Sequence, residues 1–232
     1  MTSFDVRRAA DRAITRTDWL HSAHSFSFGS HYDPDNVSFG PLLACNVDEV
    51  RPGEGYARHR HAAVEILTWV LAGALEHVDV TGNRRVEPGV LQHLSAGTGL
   101  EHAERSAARQ RPVRVVQMWL AGPAATGPRY ETADLSAPLA GGRLVLAASG
   151  DRPAPIALGR PGAELLVGRV PAGGLVELPA ARYVHVLLTS GAVAVPAAGA
   201  GLGPEDALRI TGCPGLPLTA RADAELLVWA MA

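Results

Sequence analysis

Two pairs of side chains in the first half of this 232-residue sequence could bind a transition metal. His59 and His61 stand two residues apart, and His102 and Glu104 repeat that spacing. Side chains two residues apart on a β-strand point to the same face, so each pair can project into one space. Three neutral imidazoles and one carboxylate suit a borderline divalent ion such as Fe, Mn, Co, Ni, Cu or Zn, and four ligands leave two positions of an octahedral ion open. The two pairs therefore predict a metal site for catalysis or ligand exchange.

The residues around these pairs strengthen the metal interpretation. A single His-X-His pair is more often a solvent-facing feature of a strand than a metal site, so the neighbouring residues must distinguish the two. Gly53 precedes His59 by five intervening residues, and Gly82 precedes Pro88 by five, ahead of the second pair. Glu65 lies an even number of residues after His59 and His61, as a residue on the same face of a continuous strand would. This spacing resembles that of the cupin motifs.

Longer segments resemble the pirin family, which are cupins with two tandem barrels. The segments are WLHSAHSFSFGSHYDP, GEGYARHRHAAVEILTWVLAGALEHVDVTGN and SAGTGLEHAE, and the resemblance runs over roughly residues 16–120. It implies one divalent metal per chain, iron foremost, held by His59, His61, His102 and Glu104. Ordinary cupins use the carboxylate at the position of Glu65 on the metal. The resemblance implies that Glu65 instead lies behind the ligands, where it positions a histidine or accepts a proton.

The elements that must position these residues are short strands. From Pro41 onward, apolar or alternating runs such as LLACNV, VEILTWVL and VLQHL are separated by turn signals such as RPGEG and SAGTG. Gly and Pro are abundant, at 25 and 17 residues, which also favours many strands and turns. Together with the resemblance, the pattern predicts an all-β bicupin of two tandem, jelly-roll-like cupin barrels with few short helices.

Four segments follow from this interpretation. They are a lead-in over residues 1–40 that packs on the first barrel, a metal-binding barrel over 41–121, a linker over 122–142, and a second barrel without a metal site over 143–232. The linker is marked by the Pro-, Ala- and Gly-rich stretch GPAATGPRYETADLSAPLAGG.

The second half of the sequence repeats the first in outline. PGEGYARHRHAAVEILTWVLAGAL overlays PAGGLVELPAARYVHVLLTSGAV, so that Gly73 meets Gly191. The match indicates a duplication, although a common succession of strands and turns could imitate one. The residues that overlay the two metal-binding pairs are Glu177 and Pro179 for the first, and Leu218 and Ala220 for the second. The second barrel has therefore lost the ligand pairs.

Composition excludes several function classes. All 21 cations are arginines, so Schiff-base lysines and the P-loop lysine are excluded. The formal charge of −2 is too balanced for a dedicated nucleic-acid binder. Cys45 and Cys213 lie far apart without a CxxC motif, which favours a reducing compartment. No apolar run of signal-peptide or membrane-span length occurs, so the sequence predicts a cytoplasmic protein without a membrane partner.

The other histidines are interpreted as structural. His77 and His93 lie on predicted strands of the first barrel, where a hydrogen-bonded or exposed histidine is commoner than a ligand. His185 stands alone in the second barrel without a companion two residues away. His24 belongs to the lead-in, where packing is favoured over a role in orienting the pocket entrance.

The metal site and the resemblance together suggest two functions. The first is a metal-dependent dioxygenase of the quercetinase type, which cleaves a flavonol or a related small aromatic or enediol substrate with dioxygen. The alternative is a non-enzymatic, iron-dependent redox switch that regulates a protein partner. The same four ligands serve both. A merely structural module is disfavoured, because one barrel keeps all four ligands while the other has lost them.

Overall fold

The computed structural model describes residues 1–107 and 110–232, and these residues form β-strands with few helical turns. The chain divides into two compact units, called here the first and the second barrel. The first barrel contains Ala13–Ser38 and Leu42–Asp134, and the second contains Met1–Arg12, Phe39–Pro41 and Leu135–Ala232. The predicted all-β class with few short helices is confirmed.

The strands are numbered in chain order. Their bounds are β1 Ser3–Arg7, β2 Ala13–Arg16, β3 Leu20–His24, β4 Leu42–Val50, β5 Gly55–His61, β6 Val64–Ala72, β7 Leu75–Asp79, β8 Gly82–Val86, β9 Val90–Ser95, β10 Leu100–Ser106, β11 Val113–Ala121, β12 Arg129–Asp134, β13 Leu144–Ser149, β14 Ile156–Ala157, β15 Ala163–Val170, β16 Leu175–Ser190, β17 Val193–Val195, β18 Ala200–Leu202, β19 Ala207–Ala220 and β20 Ala224–Met231. A short helix, α1, spans Ser136–Leu139, and 3₁₀ turns lie at Ala9–Asp11 and Pro196–Ala198. Among the described residues, no helix has the length and apolar character needed to cross a membrane.

The first barrel contains two antiparallel sheets, and one strand of the smaller sheet turns polar side chains inward. Seven strands run in the order β12-β9-β6-β11-β4-β3-β2, and four run in the order β5-β10-β7-β8. Burial alternates along β10, where His102, Glu104 and Ser106 are buried while Glu101 and Arg105 are exposed. The inward face of β10 is therefore polar, where a strand built only for packing would be apolar.

The second barrel has an apolar interior. Its main sheet runs in the order β14-β13-β15-β20-β16-β19-β17-β18. Leu218 and Ala220, which overlay His102 and Glu104 of the first barrel, are buried in its hydrophobic core together with Val186. Hydrocarbon side chains thus replace the second polar pair, whereas Glu177, which overlays His59, is exposed.

The first strand lies with the second barrel. β1 pairs antiparallel with β19, with Phe4 opposite Ile210, and Phe4 and Val6 pack against the core of the second barrel. By contrast, β2 and β3 extend the seven-stranded sheet beside β4. The lead-in predicted over residues 1–40 is therefore divided, because Met1–Arg12 belongs to the second barrel. Alternating apolar residues identify a strand but leave open which sheet edge it pairs with.

A buried histidine makes the stability of the second barrel depend on pH. His185 on β16 is fully buried, and burial, reinforced by the charges of Arg209 and Arg12, lowers its pKa to about 3. The unfolded chain binds the proton below a pKa of about 6.5, so the native state loses stability as the pH falls through that value. The loss is about 1.4 kcal/mol per pH unit, or about 2 kcal/mol between pH 6.5 and 5.

Urea unfolding of the wild type and of His185→Gln at pH 7 and pH 5 checks this. The free energy of unfolding of the wild type is expected to fall about 2 kcal/mol further than that of the variant. The remaining titratable groups are the same in both proteins, so the difference isolates His185. Equal losses in the two proteins would show that His185 is charged in the native state.

Candidate metal centre

Two neighbouring strands bring the three predicted histidine ligands together. On β10, His102 lies directly opposite His59 of β5. The ring centroids of His59 and His102 are 4.5 Å apart, those of His61 and His102 5.1 Å, and those of His59 and His61 4.7 Å. Each ring offers a nitrogen within 4.8 Å of the others. This spacing allows one ion to be shared by all three imidazoles.

A bulge in β5 shapes the centre. Between the pairs His102–His59 and Glu104–Tyr56, one residue intervenes on β10 and two intervene on β5. The extra residue interrupts the alternation, which turns Tyr56 to the same face as His59. The Tyr56 hydroxyl donates to Oδ2 of the buried Asp48, 2.9 Å away. Burial of Asp48 raises the pKa of this carboxyl, against the hydrogen bonds that it accepts.

Glu104 is held from the facing sheet. Gln92 Nε2 donates to its Oε1 at 2.7 Å and Gln117 Nε2 donates to its Oε2 at 2.9 Å, while His77 Nδ1 lies 3.5 Å from Oε1. Burial alone would raise the pKa of Glu104, but His77, the nearby His102 and these hydrogen bonds outweigh it and keep the pKa below its usual value. Glu104 thus joins a second potential metal-binding group with His77 and His102, which shares His102 with the first.

The imidazoles of the centre have ring nitrogens that can bind a metal. The Nδ1 atom of His59 lies 2.7 Å from the Ala57 carbonyl oxygen and donates to it, which leaves Nε2 with a lone pair. Nε2 of His102 is buried and has no hydrogen-bond partner within residues 1–107 and 110–232. Burial lowers the pKa of both His61 and His102 to about 4, so both are neutral at pH 7. Neutral imidazoles, an orphaned nitrogen and an ionised carboxylate fit a divalent ion.

Glu65 lies on the opposite face of β6 from the metal-binding group. Its Oε2 is 2.6 Å from His93 Nε2, and its Oε1 accepts from the Ser95 hydroxyl at 2.7 Å. Thr68, three residues along β6, faces the other way and lies 3.4 Å from Gln92. Alternation therefore directs Glu65 away from the predicted ligands, and the histidine that it contacts is His93.

His77 is the residue of the centre that sequence reasoning missed. It lies on β7, opposite Glu104, and its neighbour at the same spacing, Asp79, lies opposite His102. His77 is fully buried. The available signal was a third pair with two-residue spacing, His77-X-Asp79, but only the strand order β5-β10-β7 shows that it adjoins the other two.

Aromatic and apolar side chains surround the centre. The ring of His61 meets that of Trp119 edge-on at 5.0 Å, and Trp119 meets Phe28 at 5.2 Å. Tyr130 lies 4.5 Å from the ring of His77. The adjoining apolar cluster consists of Val64, Ile66, Leu94 and Ala96, packed with Leu100, Trp119 and Tyr130. A cavity of about 280 Å³ beside this cluster is lined by Leu94, Leu100 and Tyr130 and by the charged Asp79, Arg84, Glu101 and Arg129.

Known proteins share this sequence pattern. The family model described as pirin matches residues 6–120. A Mycobacterium tuberculosis protein named "Putative quercetin 2,3-dioxygenase" is 43% identical, over 98% of this chain and 94% of its own. The chain belongs to the pirin family.

Two matches come from Escherichia coli, one with a named activity and one with a bound metal. A protein named quercetin 2,3-dioxygenase is 39% identical, over 61% of this chain and 62% of its own. The crystal structure of a bacterial pirin in complex with nickel(II) matches with a TM-score of 0.90 and 28% identity, and the match covers 99% of each chain. This likeness confirms the predicted bicupin fold for this pirin.

Proposed function

We propose that this pirin binds one divalent metal ion through His59, His61, His102 and Glu104 and oxidises a flavonol or a related small aromatic or enediol with dioxygen. The observation that carries the proposal is the group of three imidazoles, with ligand atoms within 4.8 Å of one another, beside the ring of Trp119 inside a barrel. The names of the two relatives and the nickel(II) complex of a similar pirin support it. Iron is the metal that we propose first, and the donor set also accepts Mn, Co, Ni, Cu or Zn.

The charge of the ligand set favours an anionic substrate. Three neutral imidazoles and one carboxylate around a divalent ion leave a net charge of +1. A bound metal would supply Lewis acidity and an anchor for a deprotonated hydroxyl. The low pKa of His61 and of His102, lowered to about 4 by burial, keeps these rings neutral across the range in which such a hydroxyl ionises.

The surrounding side chains orient the substrate and exclude water. Trp119 and Phe28, with ring centroids 5.2 Å apart, form a rigid edge against which a flat ring packs. Leu94 and Leu100 border the nearby cavity together with charged side chains such as Arg84 and Arg129. Gln92 and Gln117 hold the two oxygens of Glu104, so the carboxylate need not reorganise during turnover.

Oxygen consumption tests the proposed activity. Protein loaded anaerobically with Fe(II) is expected to take up dioxygen with quercetin, at a rate that rises with pH as the substrate hydroxyl deprotonates. The metal-free protein and His59→Ala are expected to be inactive, because neither retains the complete metal centre. The matched control, His21→Ala, removes a histidine of β3 outside the metal-binding groups and is expected to keep the wild-type rate.

One set of results would favour the regulatory function over the dioxygenase function. Fully metallated protein that takes up no dioxygen with flavonols or simpler catechol-like compounds contradicts the proposal. If oxidation of the bound iron then changed the affinity for a protein partner, a redox switch would be the function of the same centre.

A further inference from the structure

The His77 ring links a carboxylate to a predicted metal ligand. Its Nε2 lies 3.2 Å from Asp79 Oδ2, and its Nδ1 lies 3.4 Å from Nδ1 of His102. The Glu104 carboxylate is 3.5 Å from the same Nδ1. Both ring nitrogens of this fully buried side chain therefore face polar atoms of the centre.

The protons of this chain of contacts can be assigned from Asp79. Its carboxylate accepts from the Thr81 backbone and hydroxyl, at 2.7 and 2.6 Å, and from Arg84 at 3.2 Å. These hydrogen bonds, with the one from His77, outweigh burial and hold the pKa of Asp79 below its usual value, so it stays ionised. An ionised carboxylate only accepts, so Nε2 of His77 carries the proton.

The next proton then belongs to His102. The buried Nε2 of His102 has no hydrogen-bond partner among the described residues and is the nitrogen available to hold an ion. A ring that binds through Nε2 carries its proton on Nδ1, and the facing Nδ1 of His77, 3.4 Å away, would then accept that hydrogen bond instead of donating to Glu104. His59 reaches the same protonation through the Ala57 carbonyl. A backbone carbonyl thus orients His59, whereas the side chains of His77 and Asp79 orient His102.

We infer that His77 is a positioning residue of the metal centre: held by Asp79, it fixes the tautomer and the ring orientation of His102 and stands beside Glu104. The inference rests on the proposed metal centre. Outer partners that hold a ligating histidine typically contribute about 10- to 100-fold to metal affinity. His77 is expected to do the same here without touching the metal itself.

Metal titration of the apo protein tests the role without relying on turnover. His77→Phe keeps the ring packed against Tyr130, 4.5 Å away, but removes both nitrogens. It is expected to bind Co(II) about 10- to 100-fold more weakly and to shift the visible Co(II) spectrum. His77→Asn places an acceptor near the former Nδ1 and is expected to restore most of the affinity and the wild-type spectrum.

A matched control uses His93, another fully buried histidine of this barrel. His93 contacts Glu65 on the face of the seven-stranded sheet that points away from the metal centre. His93→Phe should therefore disturb packing as much as His77→Phe does, but leave the Co(II) affinity at the wild-type level. Circular dichroism checks that each variant is folded.

The possible results separate the two proposals. If wild-type protein binds no Co(II), the metal centre itself is wrong. If the wild type binds and His77→Phe binds equally well, the centre stands and the positioning role falls. If His77→Phe and His77→Asn both lose the metal as completely as His102→Ala, His77 is a direct ligand and the positioning role is again wrong.

Discussion

Replacing His102 by alanine is expected to weaken divalent metal binding by at least about 100-fold, beyond the effect typical of an outer partner. His102 lies opposite His59, belongs to both potential metal-binding groups, and carries the buried nitrogen without a hydrogen-bond partner in the described part of the chain. Its loss leaves His59 and His61 on one strand with no imidazole facing them from β10. Metal analysis after gel filtration, followed by Co(II) titration, measures the effect.

His185→Ala is the control for this result. It removes a histidine that is also fully buried but lies in the second barrel, and it is expected to retain about one metal per chain. The potential metal-binding groups found among the described residues all lie in the first barrel. Two tightly held equivalents in the wild type, or equal metal loss from His185→Ala, would contradict the one-site assignment.

Alternation made the core of the site predictable from sequence. His59 with His61, and His102 with Glu104, are each spaced so that any strand conformation brings both side chains to one face. The structure indeed gathers the three histidines into one group. The inward face of β10 carries polar residues, where a strand built only for packing would carry apolar ones. The structure thus shows the same alternation that the sequence predicts for His102 and Glu104.

Strand order was not predictable in this way. His77 and Glu104 are 27 residues apart in sequence, and only the pairing of β7 with β10 places them opposite each other. Local periodicity fixes which residues share a face but not which strands are neighbours. The bulge that turns Tyr56 inward depends on one extra residue in β5, for which the sequence carries no marker. The pairing of β1 with β19, more than 190 residues apart, could not be predicted for the same reason, because local periodicity does not show which strands are neighbours.

The two buried glutamates of the first barrel lie on different sheets. Glu104, on β10, points to the inner face of the seven-stranded sheet, and Glu65, on β6, points away from it. Glu104 accepts from Gln92 and Gln117, and Glu65 accepts from Ser95 and contacts His93 at 2.6 Å. The general cupin pattern favours Glu65 as a ligand, whereas the pirin resemblance favours Glu104. Replacing each by glutamine removes one negative charge at nearly constant volume, so the pair of variants separates metal binding from folding.

Glu104→Gln is expected to weaken metal binding by at least about tenfold, because a neutral amide replaces the only anionic donor of the proposed ligand set. Glu65→Gln is expected to keep the wild-type metal affinity, since its carboxylate faces His93 and Ser95 on the other side of β6. It should instead lower the free energy of unfolding by about 1–3 kcal/mol, because an amide cannot satisfy both buried partners as the carboxylate does. Co(II) titration and urea unfolding of both variants measure the two effects separately. Greater metal loss from Glu65→Gln than from Glu104→Gln would overturn the ligand assignment and place the metal on the other face of the sheet.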